Sequence, residues 1–499
     1  MANVKPMLVG IDIGTTNLKL VAVHPGGRIE AVVRRAMVVD RPSAGAAEFN
    51  VAALERNLVE GLAELASRLG ERRAAVEAIG VASIGESFVG LSGEGEVLTP
   101  CPTWYDRRTV AGRPALGLDA KGWFDITGMV DDDIYTVHRL AWWGKHAPET
   151  VARVRRWMMV ADYAVYLLSG AFVASPSLAA RSGMADRSST TWSRDILSSA
   201  GLDDALLPEL KPSASIAGVL TDTISRLTGL RAGIPIINAG HDHPCAGLGC
   251  GLADPGEVID STGTSEALKT VLSAPLAYEQ AGNGAYDCYP HVVPDRFLLS
   301  GHTPASGGFI DWLVRRLSGP DATAETVNAL WALAREAQPG SGGVRMTPFL
   351  EGTGAPWNDR ARRASFSGIG AEAGSGEMLR AGVESLGAWL VLNLELFTSL
   401  AKVSPQQLFV TGGGARNTLA NDIKAAMTGL PLTMPEVEEA AGLGAALVAG
   451  LAIGLYSSAA EAASTPDTQR TTIAPDLALQ AAYSELLPDI KAVIAGVAR

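Results

Sequence analysis

Hydrophobic positions fall into two rhythms along this chain. From residue 8 they run almost unbroken through "LVGIDIG", resume in "LKLVAVH" and, after a Pro-Gly-Gly turn at residues 25–27, continue through "EAVVRRAMVV". Apolar runs of this length separated by turn residues predict three strands in an antiparallel meander. Between Val51 and Leu69 the rhythm changes, because Leu54, Leu58, Leu62, Leu65 and Leu69 recur at helical spacing, and "VEAIGVASIG" after them reads as a buried strand. The second half repeats the theme. There "EVIDSTGTSEALKTVLS" is strand, turn, strand, and "ESLGAWLVLNLELFTSL" is a long apolar helix leading into "LFVTGGG", a strand that ends on glycines. A mixed α/β layer occurs twice.

Length agrees with two units, since 499 residues exceed what one hydrophobic core usually organises. Apolar residues make up 47 % and charged ones 19 %, enough for packed cores. A formal charge of −12, with no dense Lys/Arg run, argues against nucleic acid or an anionic membrane surface as a partner. The four cysteines, Cys101, Cys245, Cys250 and Cys288, have no metal-ligand spacing, which predicts a reducing, cytoplasmic setting without disulfides. The opening "MANVKPMLVGIDIG" breaks at Asp12 and does not read as a signal peptide. The uncharged stretch between Glu439 and Glu461 is long enough for a membrane span, but its Gly and Ala content predicts a buried, closely packed helix instead.

Polar residues interrupting the first strand carry the first chemical signal. In "DIGTT" a glycine allows a tight turn that converges backbone N–H groups and the hydroxyls of Thr15 and Thr16 on one spot, a geometry suited to phosphate oxygens. Asp12 beside it can bind the Mg²⁺ that accompanies a polyphosphate, and Lys19 can add positive charge from the second strand. An ordinary hairpin with Asp and Thr as turn residues is the alternative. "STGTS" at 261–265, with Gly263 and Thr264, offers the same pairing in the second half. Two phosphate loops facing one cleft are a rarer coincidence than one.

Matching pieces then occur along nearly the whole chain: "DIGTTNLK", "WYDRRT", "DYAVYLLSG", "GHDHPCAGLGCG", "DSTGTS", "GFIDWL", "FSGIGAEAGSGEMLRAGVE", "VTGGGARN" and "EEAAGLGAALVAG". In their order and spacing the chain resembles the FGGY family of carbohydrate kinases, within the superfamily of actin, hexokinase and the heat-shock chaperone ATPases. Two positions depart from the family's pattern: Gly382, where a slightly larger residue is usual, and Arg139, where lysine is. Neither departure is expected to touch the chemistry. The resemblance implies an α/β protein of two ribonuclease H-like (actin-like ATPase) domains, residues 1–246 and 247–499, with a cleft between them. The first would hold the sugar site, one phosphate loop and the catalytic Asp; the second would hold the other loop and the adenine site. It implies an ATP- and Mg²⁺-dependent kinase acting on a ketose, deoxy-ketose or polyol of the xylulose, L-fuculose or erythritol kind, with a homodimer allowed.

Residue by residue, Asp242 in "GHDH" falls on the family's catalytic aspartate, which takes the proton from the sugar hydroxyl as that oxygen attacks the γ-phosphorus. A helix N-cap is the plainer reading of the same residue, and the two are compatible. Gly14, Thr15, Thr16, Asn17, Lys19, Gly263, Thr264 and Gly307 match nucleotide-side positions. Gly413 and Asn417 match the adenine end, while Gly307 could equally be a plain loop glycine. The sugar positions read Glu86, Trp104, Asp106, Arg107, Asp242 and His243. Many ketose kinases carry glutamine at the first and a small or amide residue at the last, so both bear on substrate choice. An ionised glutamate only accepts hydrogen bonds and so suits a ligand presenting two hydroxyls, and an indole offers a face to sugar C–H groups. His243 can hydrogen-bond substrate or merely cap and pack. Two other classes share part of this pattern. An actin- or chaperone-like ATPase needs both phosphate loops but not "WYDRR" or "GHDH", and a silent sugar sensor has no need of intact Asp12, Thr15, Thr264 and Asp242.

Overall fold

The computed structural model describes residues 6–109, 116–437, 439–465 and 470–496. The opening meander forms as β1 (Met7–Ile13), β2 (Asn17–Val23) and β3 (Ile29–Ala36), all antiparallel. Helix α1 (Val51–Leu69) then carries the chain back to β4 (Val76–Ser83), which lies parallel to β1. Asn50 starts that helix by accepting the Ala53 N–H at 2.9 Å, and the five leucines predicted to share a face are all buried. The third strand stops at Ala36, short of the predicted Val39, because residues 39–40 pair instead with Glu48–Phe49. With β5 (Ile216–Val219) and β6 (Pro235–His241) the first sheet has the order β5-β6-β4-β1-β2-β3. All seven residues of β1 are buried, as expected where both sheet faces are covered.

The second sheet repeats the plan. Its strands are β7 (Val258–Thr262), β8 (Glu266–Leu272), β9 (Asp287–Pro290), β10 (Phe297–Thr303), β11 (Leu408–Thr411), β12 (Leu432–Pro435) and β13 (Arg470–Ile473), in the order β9-β10-β8-β7-β11-β12-β13. In each half a core of three antiparallel strands (β1, β2, β3; β7, β8, β10) is followed by two parallel ones (β4, β6; β11, β12), the arrangement of a ribonuclease H-like domain, with β5, β9 and β13 added antiparallel at the sheet edges. The chain is therefore an α/β protein of two actin-like domains. Helices α2 (Val160–Ser169) and α3 (Asp242–Gly249) lie in the first half and α4 (Gly307–Ser318), α5 (Ser375–Ala401) and α6 (Thr418–Thr428) in the second; α5 is apolar enough to cross a membrane by length and composition, but its Leu379, Trp389 and Phe397 are buried in the core of the second half.

What joins the halves is a crossing of two short helices, α3 (Asp242–Gly249) and α7 (Ala440–Ala452), for which α2 (Val160–Ser169) and β6 form the neighbouring layer. The Gly/Ala run predicted to be a buried helix is α7, ending before Gly454, and it lies on β1 and β4 of the first sheet. Contact is at backbone distance: a Cβ on Gly80 would sit 2.0 Å from the Ala445 carbonyl oxygen, and one on Gly444 would sit 1.8 Å from that of Cys245. Asp242 is the first residue of α3 and not its cap, the cap position belonging to His241.

Two expectations follow. Gly80→Ala has no room for its methyl group and should lower stability by about 1–3 kcal/mol, read from chemical denaturation; an unchanged midpoint would mean that α7 is not seated on β4. Asp162 on α2 accepts Asn238 Nδ2 at 2.7 Å and the Met159 N–H at 3.2 Å, yet burial outweighs both and pushes its carboxyl up to about 7. Below the ordinary carboxylate range both folded and unfolded chains hold this proton; as pH rises toward 7 the unfolded chain ionises first, so the contribution is lost with rising pH. Asp162→Asn should make melting temperature less dependent on pH between 4 and 7 than it is in the parent, and equal slopes would remove Asp162 as the cause.

Candidate active site

Two cavities meet at Gly263, in the turn between β7 and β8. The first, about 410 Å³, draws its walls from both halves, including Thr15, Glu86, Trp104, Asp242 and His243 from one and Asp287 from the other. The second, about 470 Å³, lies in the C-terminal half and is lined by Thr264, Gly307, Trp331, Leu386, Gly413 and Asn417 among others. A polar cleft between lobes thus opens onto a partly apolar pocket.

The end of β1 builds the first loop. Gly14 closes its hairpin by donating to the Asn17 carbonyl at 3.0 Å, and Thr15 Oγ1 accepts the Trp104 indole N–H at 3.1 Å. Of the predicted loop residues only Thr15 lines the cavity; Gly14, Thr16 and Asn17 shape the turn. Asp12 is buried, and its Oδ1 has no hydrogen-bond partner. Burial pushes its carboxyl up to about 6, against Lys19 at 3.7 Å and with the help of Glu439. Lys19 itself is closer to Glu439, at 3.1 Å, so this lysine is anchored to the start of α7 and acts on Asp12 more directly than on a nucleotide. Glu439 went unpredicted, since nothing local relates it to Asp12.

Asp242 emerges from β6 at the N-terminus of α3, where the helix dipole favours a carboxylate. His241 Nε2 stands 3.2 Å from Asp242 Oδ1 but without hydrogen-bond alignment, which leaves that oxygen buried and unpartnered. Burial, then the charge of Asp12, raises Asp242 to about 8; Lys269 opposes them. The His241 ring is fixed by Tyr289 Oη at 3.0 Å and stacks on His243 at 5.0 Å. His243 therefore packs and also lines the cavity.

The "WYDRR" segment divides. Trp104 lines the cavity and is 43 % exposed, whereas Asp106 and Arg107 lie outside the lining. Asp106 accepts the Ala47 N–H at 3.0 Å and grips Arg108, and the Arg107 backbone N–H bonds the Gly45 carbonyl at 2.9 Å, so this pair braces the loop that holds the indole. Arg139 is buried and donates to the Trp104 carbonyl, which corrects the expectation that this departure stands apart from the site. At Gly382 a Cβ would lie 2.4 Å from Leu313, whose bulk takes the space of the missing side chain.

In the second pocket the N–H groups of Gly307 and Gly308 bond the carbonyls of Gly263 and Thr264 at 2.9 and 3.0 Å, stitching the loop to the start of a helix, Gly307–Ser318. Gly307 is thus more than a loop glycine, since a Cβ there would come within 2.6 Å of the Gly263 oxygen. Asn417 lines the pocket and caps the helix Thr418–Thr428 by accepting the Ala420 N–H at 3.2 Å. Beneath the loop, Lys424 binds Asp260 at 2.6 Å and Glu266 at 3.0 Å, and Ser306 joins Glu266 to Thr262. Lys424, Ser306 and Trp331 were not legible as site residues, because no motif surrounds them.

Unpartnered buried oxygens on Asp12, raised by burial and by Glu439, and on Asp242, raised by burial and by Asp12, are what a divalent cation with its polyphosphate would satisfy. Among the described residues no cluster of three or more His, Cys, Asp or Glu side chains forms a metal cage. Asp12 would then share the cation with phosphate oxygens and water, the usual habit of Mg²⁺.

Comparison with known proteins agrees with this geometry. The model of the FGGY family of carbohydrate kinases, N-terminal domain, matches residues 7–249, and that of the C-terminal domain matches residues 259–453. L-fuculokinase of Escherichia coli O157:H7 is 28 % identical over 461 residues, 91 % of this chain and 94 % of that protein. Xylulose kinase of Staphylococcus xylosus is 25 % identical over 450 residues, 89 % and 90 % of the two chains. The crystal structure of xylulose kinase from Rhodospirillum rubrum superposes with a TM-score of 0.89 at 25 % identity, covering 98 % of this chain and 99 % of that one. With two lobes, paired loops and family models spanning both halves, the chain belongs to the FGGY family of carbohydrate kinases.

Proposed function

We propose that this carbohydrate kinase transfers the γ-phosphoryl group of ATP to a hydroxyl of a ketose, deoxy-ketose or polyol, with Asp242 as general base. The observation that carries the reading is the half-buried Asp242 carboxylate, which lines the interlobe cavity with one oxygen, Oδ1, buried and unpartnered. Relatives named xylulose kinase and L-fuculokinase support the acceptor class. Four unpaired, buried cysteines are consistent with a reducing cytoplasm.

ATP enters the pocket around Asn417 and Gly413, its base between Trp331 and Leu386, and its phosphates run along Gly263 and Thr264 toward Thr15. Mg²⁺ bound with it supplies charge neutralisation for the transferring phosphoryl group. The acceptor lies against Trp104, with hydroxyls toward Glu86. Asp242 receives the hydroxyl proton while the acceptor oxygen bonds to the γ-phosphorus and the bond from that phosphorus to the β,γ-bridging oxygen breaks, releasing ADP. Burial and the field of Asp12 make Asp242 a stronger base than an exposed carboxylate, which suits a weakly acidic hydroxyl. Closure of the lobes would exclude water that could otherwise take the phosphoryl group.

An ADP-release screen over pentuloses, hexuloses, their deoxy forms and four- and five-carbon polyols tests the reading and names the acceptor. With that acceptor, Asp242→Asn should lower kcat by about 10²- to 10⁴-fold, the range of a positioned general base, while Mg·ATP affinity by calorimetry stays near that of the parent. Near-normal turnover in the variant would reduce Asp242 to a helix-start residue and displace the base elsewhere.

A further inference from the structure

A guanidinium stands in the acceptor cavity that no motif marked. Arg181 lines the cavity with its side chain only 12 % exposed. Its Nε donates to Glu86 Oε1 at 2.6 Å, Nη2 reaches the same oxygen, and Nη1 lies 3.2 Å from Asp287 Oδ2. Two rings lie beside the guanidinium as well, with the Tyr135 and Tyr289 centroids 5.3 and 5.9 Å away. The two carboxylates come from opposite lobes. Glu86 follows β4 and holds a φ of 62°, a left-handed conformation that costs a non-glycine residue energy and is kept only where surroundings enforce it. Asp287 opens β9 and is itself oriented by the Val130 N–H at 2.7 Å.

This arrangement has a consequence for charge. An arginine free in a sugar pocket would attract a carboxylate or phosphate, since its fork matches both. Here two carboxylates occupy the fork. Arg181 is the only arginine or lysine among the described lining residues. Lys269 is buried and absent from the lining. Asp132, also in the lining, is paired at 2.7 Å with Arg360. Among the described lining residues no cation is left unpaired.

Resting on the kinase reading above, we propose that Arg181, caged by Glu86 and Asp287, is a specificity-determining residue that excludes anionic sugars and leaves Glu86 Oε2 to accept hydroxyls of a neutral acceptor. Selection is thus made by residues of both lobes. Removing the Asp287 charge should turn the cavity toward carboxylates, because Nη1 then faces no carboxylate and can donate to that of a ligand.

The test compares the parent with Asp287→Asn, using the best neutral acceptor from the screen and an aldonate, D-gluconate, as anionic probe at constant ionic strength. In the parent, gluconate should be neither phosphorylated nor inhibitory. In Asp287→Asn, the neutral acceptor's KM should rise, ATP KM should hold, and gluconate should become an inhibitor with a Ki about tenfold or more below the lower bound set on the parent, the scale of a charge-assisted pair. Should Asp287→Asn not fold, Glu86→Gln opens the other side of the cage and is read in the same way. A parent enzyme that phosphorylates gluconate better than any neutral sugar overturns the proposal while leaving a kinase. Gluconate inhibition unchanged in a folded variant overturns it too, reducing the cage to a structural ion pair. ADP release stimulated by no acceptor of either charge overturns the kinase reading itself, and the proposal with it.

Discussion

Everything in this molecule hangs on one steric constraint, the approach of α7 to the first sheet and to α3 at backbone distance. Because the Ala445 carbonyl would stand 2.0 Å from a Cβ on Gly80, and Cys245's 1.8 Å from one on Gly444, neither surface can carry even a methyl group. The closeness is functional in its effect. Asp242 is three residues before Cys245 on α3, Asp12 is two residues after Gly10 on β1, where a Cβ would lie 1.8 Å from the Gly442 carbonyl oxygen, and Glu439 immediately precedes α7. One small-residue junction therefore fixes three acidic groups relative to one another, with Lys19 tied between two of them. A looser junction would let those charges drift, and the repulsion between Asp12 and Asp242 would drive them apart.

Charge is the second organising element. Asp12 and Asp260 are buried and Asp242 is half-buried, and all three are pushed above the ordinary carboxylate range, to about 6, 7 and 8. Each faces a lysine: Lys19, Lys424 and Lys269. A buried carboxylate without such a partner would be too costly to keep, yet a fully neutralised one would have little to offer a ligand. The Asp260–Lys424 pair is close and complete, at 2.6 Å, and supports the loop beneath the nucleotide pocket. Asp12 is only 3.7 Å from its lysine and keeps an unpartnered oxygen, as does Asp242. That gradation separates the scaffolding pair from the two groups placed to work.

Local pattern made the fold legible. Helix 51–69, the hairpins on either side of residues 14–16 and 263–265, and the glycine-terminated strand after residue 408 were all readable, because each is decided by neighbours a few positions apart. The candidate site was legible where it coincides with such turns: Thr15, Thr264, Gly307 and Asp242 sit at strand or helix ends. What stayed hidden depends on separation. Arg181 meets Glu86 across 95 residues and Asp287 across 106, and Lys424 reaches Asp260 across 164. No window of sequence shows such pairs. The same reason explains Asp106 and Arg107: a conspicuous "DRR" suggests substrate contact, but the chain bends so that they brace residues 45–47 and leave Trp104 to face the cavity.

The division of labour between lobes is uneven, and this gives the cavity its logic. On the proposed mechanism, the base and the first loop belong to the first lobe, and the nucleotide pocket to the second. The acceptor's walls alone are shared. His241 meets Tyr289, Arg181 meets Asp287 and Asp132 meets Arg360, each pair spanning the seam around the acceptor. Interactions that exist only when the lobes are in register make acceptor binding and lobe registration one event, since a ligand that disturbs the charges at the seam also disturbs the alignment of base and phosphate. Selection of the acceptor and assembly of the catalytic geometry are in this way drawn from the same few contacts, and a poorly matched acceptor loses both together.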